Sequence, residues 1–274
     1  GENLSERLDR LIGSGEMEPA VVVIPDCYTS LGGNQYVNSP SVGRYADYLA
    51  DELVPFVEQN VTVVRHQDGR ALFGKSSGGY GALYLAMTRP GTWSAVASHA
   101  GDVGFDLLFK GAFPAVAQAL APLDGDANAF IRSFWRKNRP SGRDFTVMMV
   151  LAMAASYDPD PDDPARIRLP FDLRTCAIDP ARWACWASFD PLELVEVHAD
   201  ALKRLHGLYL DVGIYDQYNI QYGARRFTDQ LKRLDIEHHY EEFEGTHSGI
   251  DWRLDHSLPF LANALKTGRE ETTL

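Results

Sequence analysis

The chain is poor in cysteine and in basic residues, and each shortage excludes a class of protein. Its 274 residues include only three cysteines, Cys27, Cys176 and Cys185. That number is small and odd, which argues against a disulfide framework and predicts a protein of a reducing compartment. Lys and Arg number 26 against 38 Asp and Glu, so the net charge is −12. Because nucleic-acid affinity comes from clustered Lys and Arg, we expect no nucleic-acid partner.

Long hydrophobic runs are also missing. The longest apolar run, residues 147–155, is far shorter than the roughly 20 residues that span a bilayer, so we expect no membrane partner. The N-terminal segment is polar and acidic where a signal peptide is basic. Together these absences predict a cytoplasmic globular protein. The first residue is Gly1 rather than an initiator methionine, and we expect the natural polypeptide to extend before it.

The sequence does contain alternating strand and helix patterns. Short β-branched or apolar runs predict strands at residues 21–24, 71–73, 93–98, 208–211 and 237–243. Helical spacing recurs at residues 4–12, 45–57, 80–88, 221–234 and 254–265. This alternation predicts a single α/β domain over 1–274 with a doubly wound, mostly parallel sheet. Residues 103–201 break the alternation with helical segments, which predicts a helical insertion, or cap, over the C-terminal edge of the strands.

One glycine-rich segment matches two incompatible motifs. Gly74-Lys75-Ser76-Ser77-Gly78 fits G-x-S-x-G, the nucleophile elbow, and residues 69–76 fit G-x-x-x-x-G-K-[ST], the phosphate-binding loop. In a phosphate loop the four variable residues form the loop itself, whereas here they include the apolar residues 71–73, which favour a buried strand. The glycines at 78, 79 and 81 would weaken a helix that began directly after the motif. The elbow is therefore favoured, with nucleotide binding at 69–76 as the weaker alternative.

A nucleophilic serine needs a base, and the base needs an orienting acid. In α/β-hydrolases these residues follow in the order Ser, Asp or Glu, His. Among the eight histidines, His247 lies after the last predicted strand, in a loop where this fold delivers its base. The loop after strand 208–211 offers Asp216, and Asp211 at the strand end is the second choice.

Metal and cofactor motifs are absent from the sequence. It contains no H-E-x-x-H pattern and no paired cysteine motif. The acidic, proline-rich stretch 158–164 lacks the glycine and the spacing of a calcium loop, so we expect a solvated loop there. We predict that the protein works without a metal ion or other cofactor.

The motif residues resemble the bacterial putative esterase family of α/β-hydrolases, which is related to esterase D, enterochelin esterase and the mycolyltransferases. The resemblance is carried by residues 25–29 and 32–36, by residues 74–83, by Ser98-His99-Ala100-Gly101-Asp102, by residues 213–224 and by Gly245-Thr246-His247. It implies Ser76 as the nucleophile, Asp216 as the acid and His247 as the base. It also implies that Ser77 supplies one backbone N–H of the oxyanion hole. Substrates in this family range from simple esters and feruloyl sugars to thioesters and acyl acceptors.

We therefore expect a serine carboxylesterase that hydrolyses small-molecule esters through an acyl-enzyme on Ser76. An acyltransferase or a thioesterase on the same triad is the alternative. The insertion is rich in aromatic residues, most of which we expect to form its own core, and we expect Trp135 to line a substrate pocket. The sequence leaves the oligomeric state open, with a homo-oligomer among the alternatives.

The second oxyanion donor of this fold comes from a loop after an early strand. Members of the resembled family carry a His-Gly turn there, before a segment like residues 2–8 of this chain. We therefore expect this donor to lie upstream of Gly1 or in a partner chain.

Overall fold

The computed structural model describes residues 1–272 and contains a four-stranded parallel sheet. The strands lie side by side in chain order, namely β3 (Ala71–Lys75), β4 (Ala95–His99), β5 (Gly207–Gly213) and β6 (His239–Phe243). In the register of the sheet, Lys75 lies beside His99 and His99 beside Asp211. The C-terminal ends of three strands therefore meet at one edge. Four of the five predicted strands are confirmed.

Helices cover both faces of this sheet, as expected for strands as apolar as β4 and β5. On one face α4 (Ser77–Thr88) and α12 (Ile220–Arg233) bury Leu83 and Phe227 against the strands. On the other face α13 (Leu254–Thr272) packs Leu261 against Ala97. The predicted doubly wound α/β architecture is therefore confirmed.

The remaining elements precede β3 or lie between β4 and β5. Before β3 they are α1 (Leu4–Gly13), the two-residue antiparallel strands β1 (Asn38–Ser39) and β2 (Gly43–Arg44), α2 (Tyr45–Asp47), a π-helical segment (Tyr48–Leu53) and α3 (Val54–Asn60). Between β4 and β5 they are α5 (Phe105–Phe109), α6 (Phe113–Leu120), α7 (Ala127–Arg136), α8 (Gly142–Tyr157), α9 (Pro180–Ala187), α10 (Pro191–Val197) and α11 (Ala199–Lys203). The helices α5 to α9 share an aromatic core, which includes Phe105, Phe109, Phe113, Tyr157 and Trp186. The helices α10 and α11 instead pack against α4.

Two local predictions are wrong. Residues 21–24 form no strand, and Ile24 is 75% exposed. Apolar residues favour a strand only where a neighbouring strand supplies hydrogen-bond partners, and no described strand runs beside them.

The acidic stretch 158–164 is not fully solvated either. Asp158 is buried and accepts a hydrogen bond of 2.8 Å from Arg182, because a buried carboxylate requires a cationic partner.

A buried ionic network fastens the C-terminal end of the sheet to α13. Arg253, in the 3₁₀ turn directly before that helix, is 1% exposed and donates from Nε to the Asp211 carboxylate at 2.7 Å. His99 Nδ1 lies 2.8 Å from the other carboxylate oxygen, and His99 Nε2 lies 2.8 Å from the hydroxyl of Ser257. Arg253 also donates to Tyr209 Oη at 2.6 Å. One cation thus compensates the charge of the buried Asp211 and links β4, β5 and α13.

Removing the positive charge of Arg253 should destabilise the folded protein. We predict that Arg253→Met lowers the free energy of unfolding by about 3–5 kcal/mol, because it leaves the Asp211 carboxylate buried without its positive partner. Urea unfolding of the variant and the wild type measures the difference. The matched control is Arg226→Met, which removes an exposed ion pair with Asp106 and should cost about 1 kcal/mol or less. Equal losses in the two variants would contradict this account.

Candidate active site

Ser76 occupies a sharp turn between β3 and α4. Its backbone has φ 56° and ψ −125°, a conformation that a non-glycine residue adopts only under constraint. The Ser76 N–H donates to the His99 carbonyl at 2.9 Å, and the Tyr80 N–H donates to the Ser76 carbonyl at 2.8 Å. A Cβ on Gly74 would lie 2.4 Å from the Gly78 carbonyl oxygen, so the turn closes only with glycine there. This is the strand–turn–helix geometry of a nucleophile elbow.

The phosphate-loop interpretation does not fit this geometry. A phosphate loop needs its variable residues free of regular structure, so that their N–H groups face the ligand. Residues Ala71–Lys75 instead form β3 and pair with β4. The segment 69–76 therefore has no loop that could enclose a phosphate.

The predicted acid and base are in direct contact. The Asp216 carboxylate lies 2.8 Å from His247 Nδ1, and its side chain is fully buried. The other carboxylate oxygen accepts the Tyr218 N–H at 2.8 Å, and the Gln217 side chain accepts the His247 N–H at 3.1 Å. With its Nδ1 proton held by Asp216, the imidazole presents Nε2 as an acceptor. This is the state that a general base requires.

Ser76 and His247 share no hydrogen bond in this structure. In the described part of the chain, the hydrogen bonds of His247 go to Asp216 and Gln217, and none reaches the Ser76 hydroxyl. A buried acid, Asp102, lies near enough to His247, Asp216 and Ser76 for them to influence its pKa, although the sequence analysis gave it no role. Burial raises the pKa of Asp102 to about 7. The signal for this residue was its place just after β4, at the edge where the strand ends converge.

Asp211, the second choice for the acid, does not contact His247. Its carboxylate is bound by His99 and Arg253 instead. With Ser257, these side chains form a second array with the same residue types as a catalytic triad. Ser257 is 0% exposed, however, so no substrate can reach its hydroxyl. The array is part of the core of the protein.

A cavity of about 550 Å³ opens beside the elbow. Its wall includes Ser77, which follows Ser76, and Gln35 from the loop before β1. Ser77 is the first residue of α4, so its N–H has no partner within that helix and lies at the positive end of the helix dipole. The opposite wall is apolar and comes from α7 and α8, namely from Phe134, Trp135, Phe145, Met148, Met149, Ala152 and Met153. Trp135 is held by a 2.7 Å hydrogen bond from Nε1 to the Ser30 carbonyl.

The described residues hold no group of three or more His, Cys, Asp or Glu side chains placed to bind a metal ion. No helix within them combines the length and the apolar character that crossing a bilayer requires.

Solved structures share this fold. A ferulic acid esterase superposes with a TM-score of 0.59 at 18% identity, covering 95% of this chain and 76% of its own. MPT51 (FbpC1) of Mycobacterium tuberculosis superposes with a TM-score of 0.50 at 16% identity, covering 85% of this chain and 75% of its own. At these identities the likeness establishes the α/β-hydrolase fold and nothing finer.

Sequence comparison gives more specific information than the shared fold. Esterase Rv1288 and Esterase MT1326, both of Mycobacterium tuberculosis, are 25% identical to this chain over 237 residues. The aligned region covers 84% of this chain but only 42% of each relative, so the match is to about two fifths of their length. The sequence model described as "Putative esterase" matches residues 3–258, nearly the whole chain. The chain therefore belongs to the putative esterase family.

Proposed function

We propose that this chain is a serine carboxylesterase that forms an acyl-enzyme on Ser76. The observation that carries the proposal is the buried Asp216–His247 pair, 2.8 Å apart, in a chain whose Ser76 is held on a nucleophile elbow. Membership of the putative esterase family and the printed names of the two mycobacterial relatives support ester hydrolysis.

The proposed mechanism gives each group one role. His247 Nε2 removes the Ser76 proton as Oγ forms a bond to the ester carbonyl carbon, and Asp216 stabilises the resulting imidazolium. The Ser77 N–H donates to the oxyanion of the tetrahedral intermediate. The intermediate collapses, the C–O bond to the alcohol breaks, and the imidazolium returns its proton to the leaving alkoxide. Water, deprotonated by His247, then attacks the acyl-enzyme, releases the carboxylic acid and restores the Ser76 hydroxyl.

The cavity beside Ser77 indicates which part of the substrate it receives. Its apolar wall of Phe, Trp and Met side chains can bury an alkyl or aryl group, and methionine adapts to irregular shapes. A volume of about 550 Å³ lies within the range of small-molecule sites. We propose that the acyl group of the ester binds there, against Trp135.

The nucleophile is tested by removing its hydroxyl. Ser76→Ala should lower kcat for a p-nitrophenyl butyrate by a factor on the order of 10⁶, because no other group in the site can form the acyl bond. A fluorophosphonate should label Ser76 in the wild type, as peptide mass spectrometry would show. Ser188→Ala is the matched control, since that hydroxyl is exposed and donates only to the Cys185 carbonyl. Labelling of another residue, or full turnover by Ser76→Ala, would refute the assignment.

The acyl pocket is tested by shortening its aromatic wall. In Trp135→Ala, we expect kcat/KM for aryl and octanoyl esters to fall about tenfold relative to acetyl esters, since the apolar surface that the longer groups contact is lost. A panel of p-nitrophenyl esters of graded acyl length measures the ratio. Trp252→Ala, which removes a 44% exposed tryptophan outside the cavity, should keep the wild-type ratio. If Trp135→Ala leaves the acyl-length profile unchanged, Trp135 does not contribute to the acyl pocket.

A further inference from the structure

The cavity beside Ser77 is bordered by positive charge that the proposed mechanism does not use. Residues 127–143 form α7, the loop after it and the first two residues of α8. This cationic segment holds five of the 26 Lys and Arg residues of the chain and none of its 38 Asp and Glu residues. The five are Arg132, Arg136, Lys137, Arg139 and Arg143. The segment therefore differs in sign from the chain as a whole, whose net charge is −12.

The cationic segment forms part of the cavity wall. Trp135, Lys137 and Pro140 line the cavity, and Arg136 and Arg139 lie between them in the chain. Trp135 is 52% exposed and the Lys137 side chain is 40% exposed, so these two residues lie where the cavity opens to solvent. Among the described residues, no Asp or Glu lines the cavity, and Lys137 is the one lining residue that is charged at neutral pH. The apolar cavity thus has a cationic mouth.

An acid neutralises only part of this charge. Asp144 lies 2.6 Å from Lys137 Nζ, and its carboxylate also accepts the Ser141 N–H at 2.7 Å as part of the cap of α8. An ammonium group has three donors, so Lys137 keeps donors beyond the one that Asp144 occupies. In the part of the chain that the structure describes, Arg136 and Arg139 have no acidic partner. The mouth therefore retains positive charge for an anionic ligand.

We propose that the acyl group accepted by this site ends in a carboxylate, so that its substrates are half-esters of dicarboxylic acids. The ester carbonyl meets Ser76, the methylene chain lies along the apolar wall, and the terminal carboxylate binds Lys137, with Arg136 and Arg139 nearby. Hydrogen bonds between charged groups are stronger than those between neutral ones, and cations without partners attract an anion from solution. This inference rests on the proposed function, because it assigns the far end of the acyl group that Ser76 accepts.

The test compares two matched series of substrates. One consists of p-nitrophenyl half-esters of the straight-chain diacids of about six to nine carbons, and in the other a carboxamide replaces each terminal carboxylate. Each pair has the same length and nearly the same shape, and only one member is charged. For at least one chain length, we expect wild-type kcat/KM at low salt to be about fivefold or more higher for the carboxylate, mainly through a lower KM. Raising the ionic strength to about 0.5 M should shrink this carboxylate preference, because salt screens exposed charges.

Variants at the mouth identify the cations that bind the carboxylate. Lys137→Met should lower the carboxylate preference about fivefold and leave kcat/KM for the carboxamide esters nearly unchanged, since only the charged end loses a partner. The double variant Arg136→Gln/Arg139→Gln should reduce the salt dependence of the preference. The matched control is Arg226→Met, which also removes one positive charge from an exposed ion pair, with Asp106, but outside the cavity. It should keep the wild-type preference.

The outcomes separate the inference from its alternatives. A carboxylate preference that is present in the wild type and in Arg226→Met, and lost in Lys137→Met, supports it. The absence of a preference at every chain length, a preference that Lys137→Met retains in full, or one that does not respond to salt would overturn it. Lys137→Gln gives the same comparison if Lys137→Met does not fold.

A second measurement does not depend on turnover. The N-phenyl monoamide of octanedioic acid carries an amide in place of the ester and keeps the terminal carboxylate. Calorimetry should show that it binds the wild type and that its Kd is about fivefold higher in Lys137→Met. Equal affinity in the two proteins, or no binding to the wild type, would overturn the inference. Failure of the proposed function is seen separately, as ester hydrolysis that survives in Ser76→Ala.

Discussion

The site depends on one constraint, the left-handed backbone of Ser76 between β3 and α4. The strand can turn into the helix this sharply only because Gly74 and Gly78 approach each other without side chains. The same lack of side chains lets Gly79 meet Gly101 and brings the end of β4 against the elbow. The position of Ser76 at the tip of the turn between β3 and α4 follows from these close backbone approaches. The proposed nucleophile therefore depends on glycines that lie outside the catalytic residues themselves.

Three aspartates are buried at the C-terminal edge of the sheet, and the groups around their carboxyls differ. Asp211 is bound by Arg253 and serves the stability of the core. Asp216 is bound by His247, whose proton it orients. Burial raises the pKa of Asp102 to about 7, and the charge of His247 only partly offsets this effect. The residue type is the same in all three, and the surroundings of each carboxyl differ.

Much of this arrangement was predictable from sequence, for identifiable reasons. The strands 71–73 and 208–211 were recognisable as short apolar runs, which are typical of parallel sheets, although only β5 is buried along its whole length and β3 is half-buried. Ser76, Asp216 and His247 were nominated by motif and chain order, and the structure places the last two in contact. Residues 21–24 have the same apolar pattern but no strand partner, a condition that a local sequence window cannot reveal. Asp102 was named only as part of a motif, because its burial beside the elbow depends on the approach of Gly79 and Gly101, which are 22 residues apart in the chain.

The central claim is that turnover passes through an ester on Ser76. The most direct test is rapid acid quenching of the wild type with p-nitrophenyl butyrate, followed by peptide mass spectrometry. The account predicts a burst of about one equivalent of p-nitrophenol and a butyryl group on the peptide that contains Ser76. A burst with the acyl group on a different residue, or steady turnover in which no acylated peptide accumulates under any quench time, would contradict it.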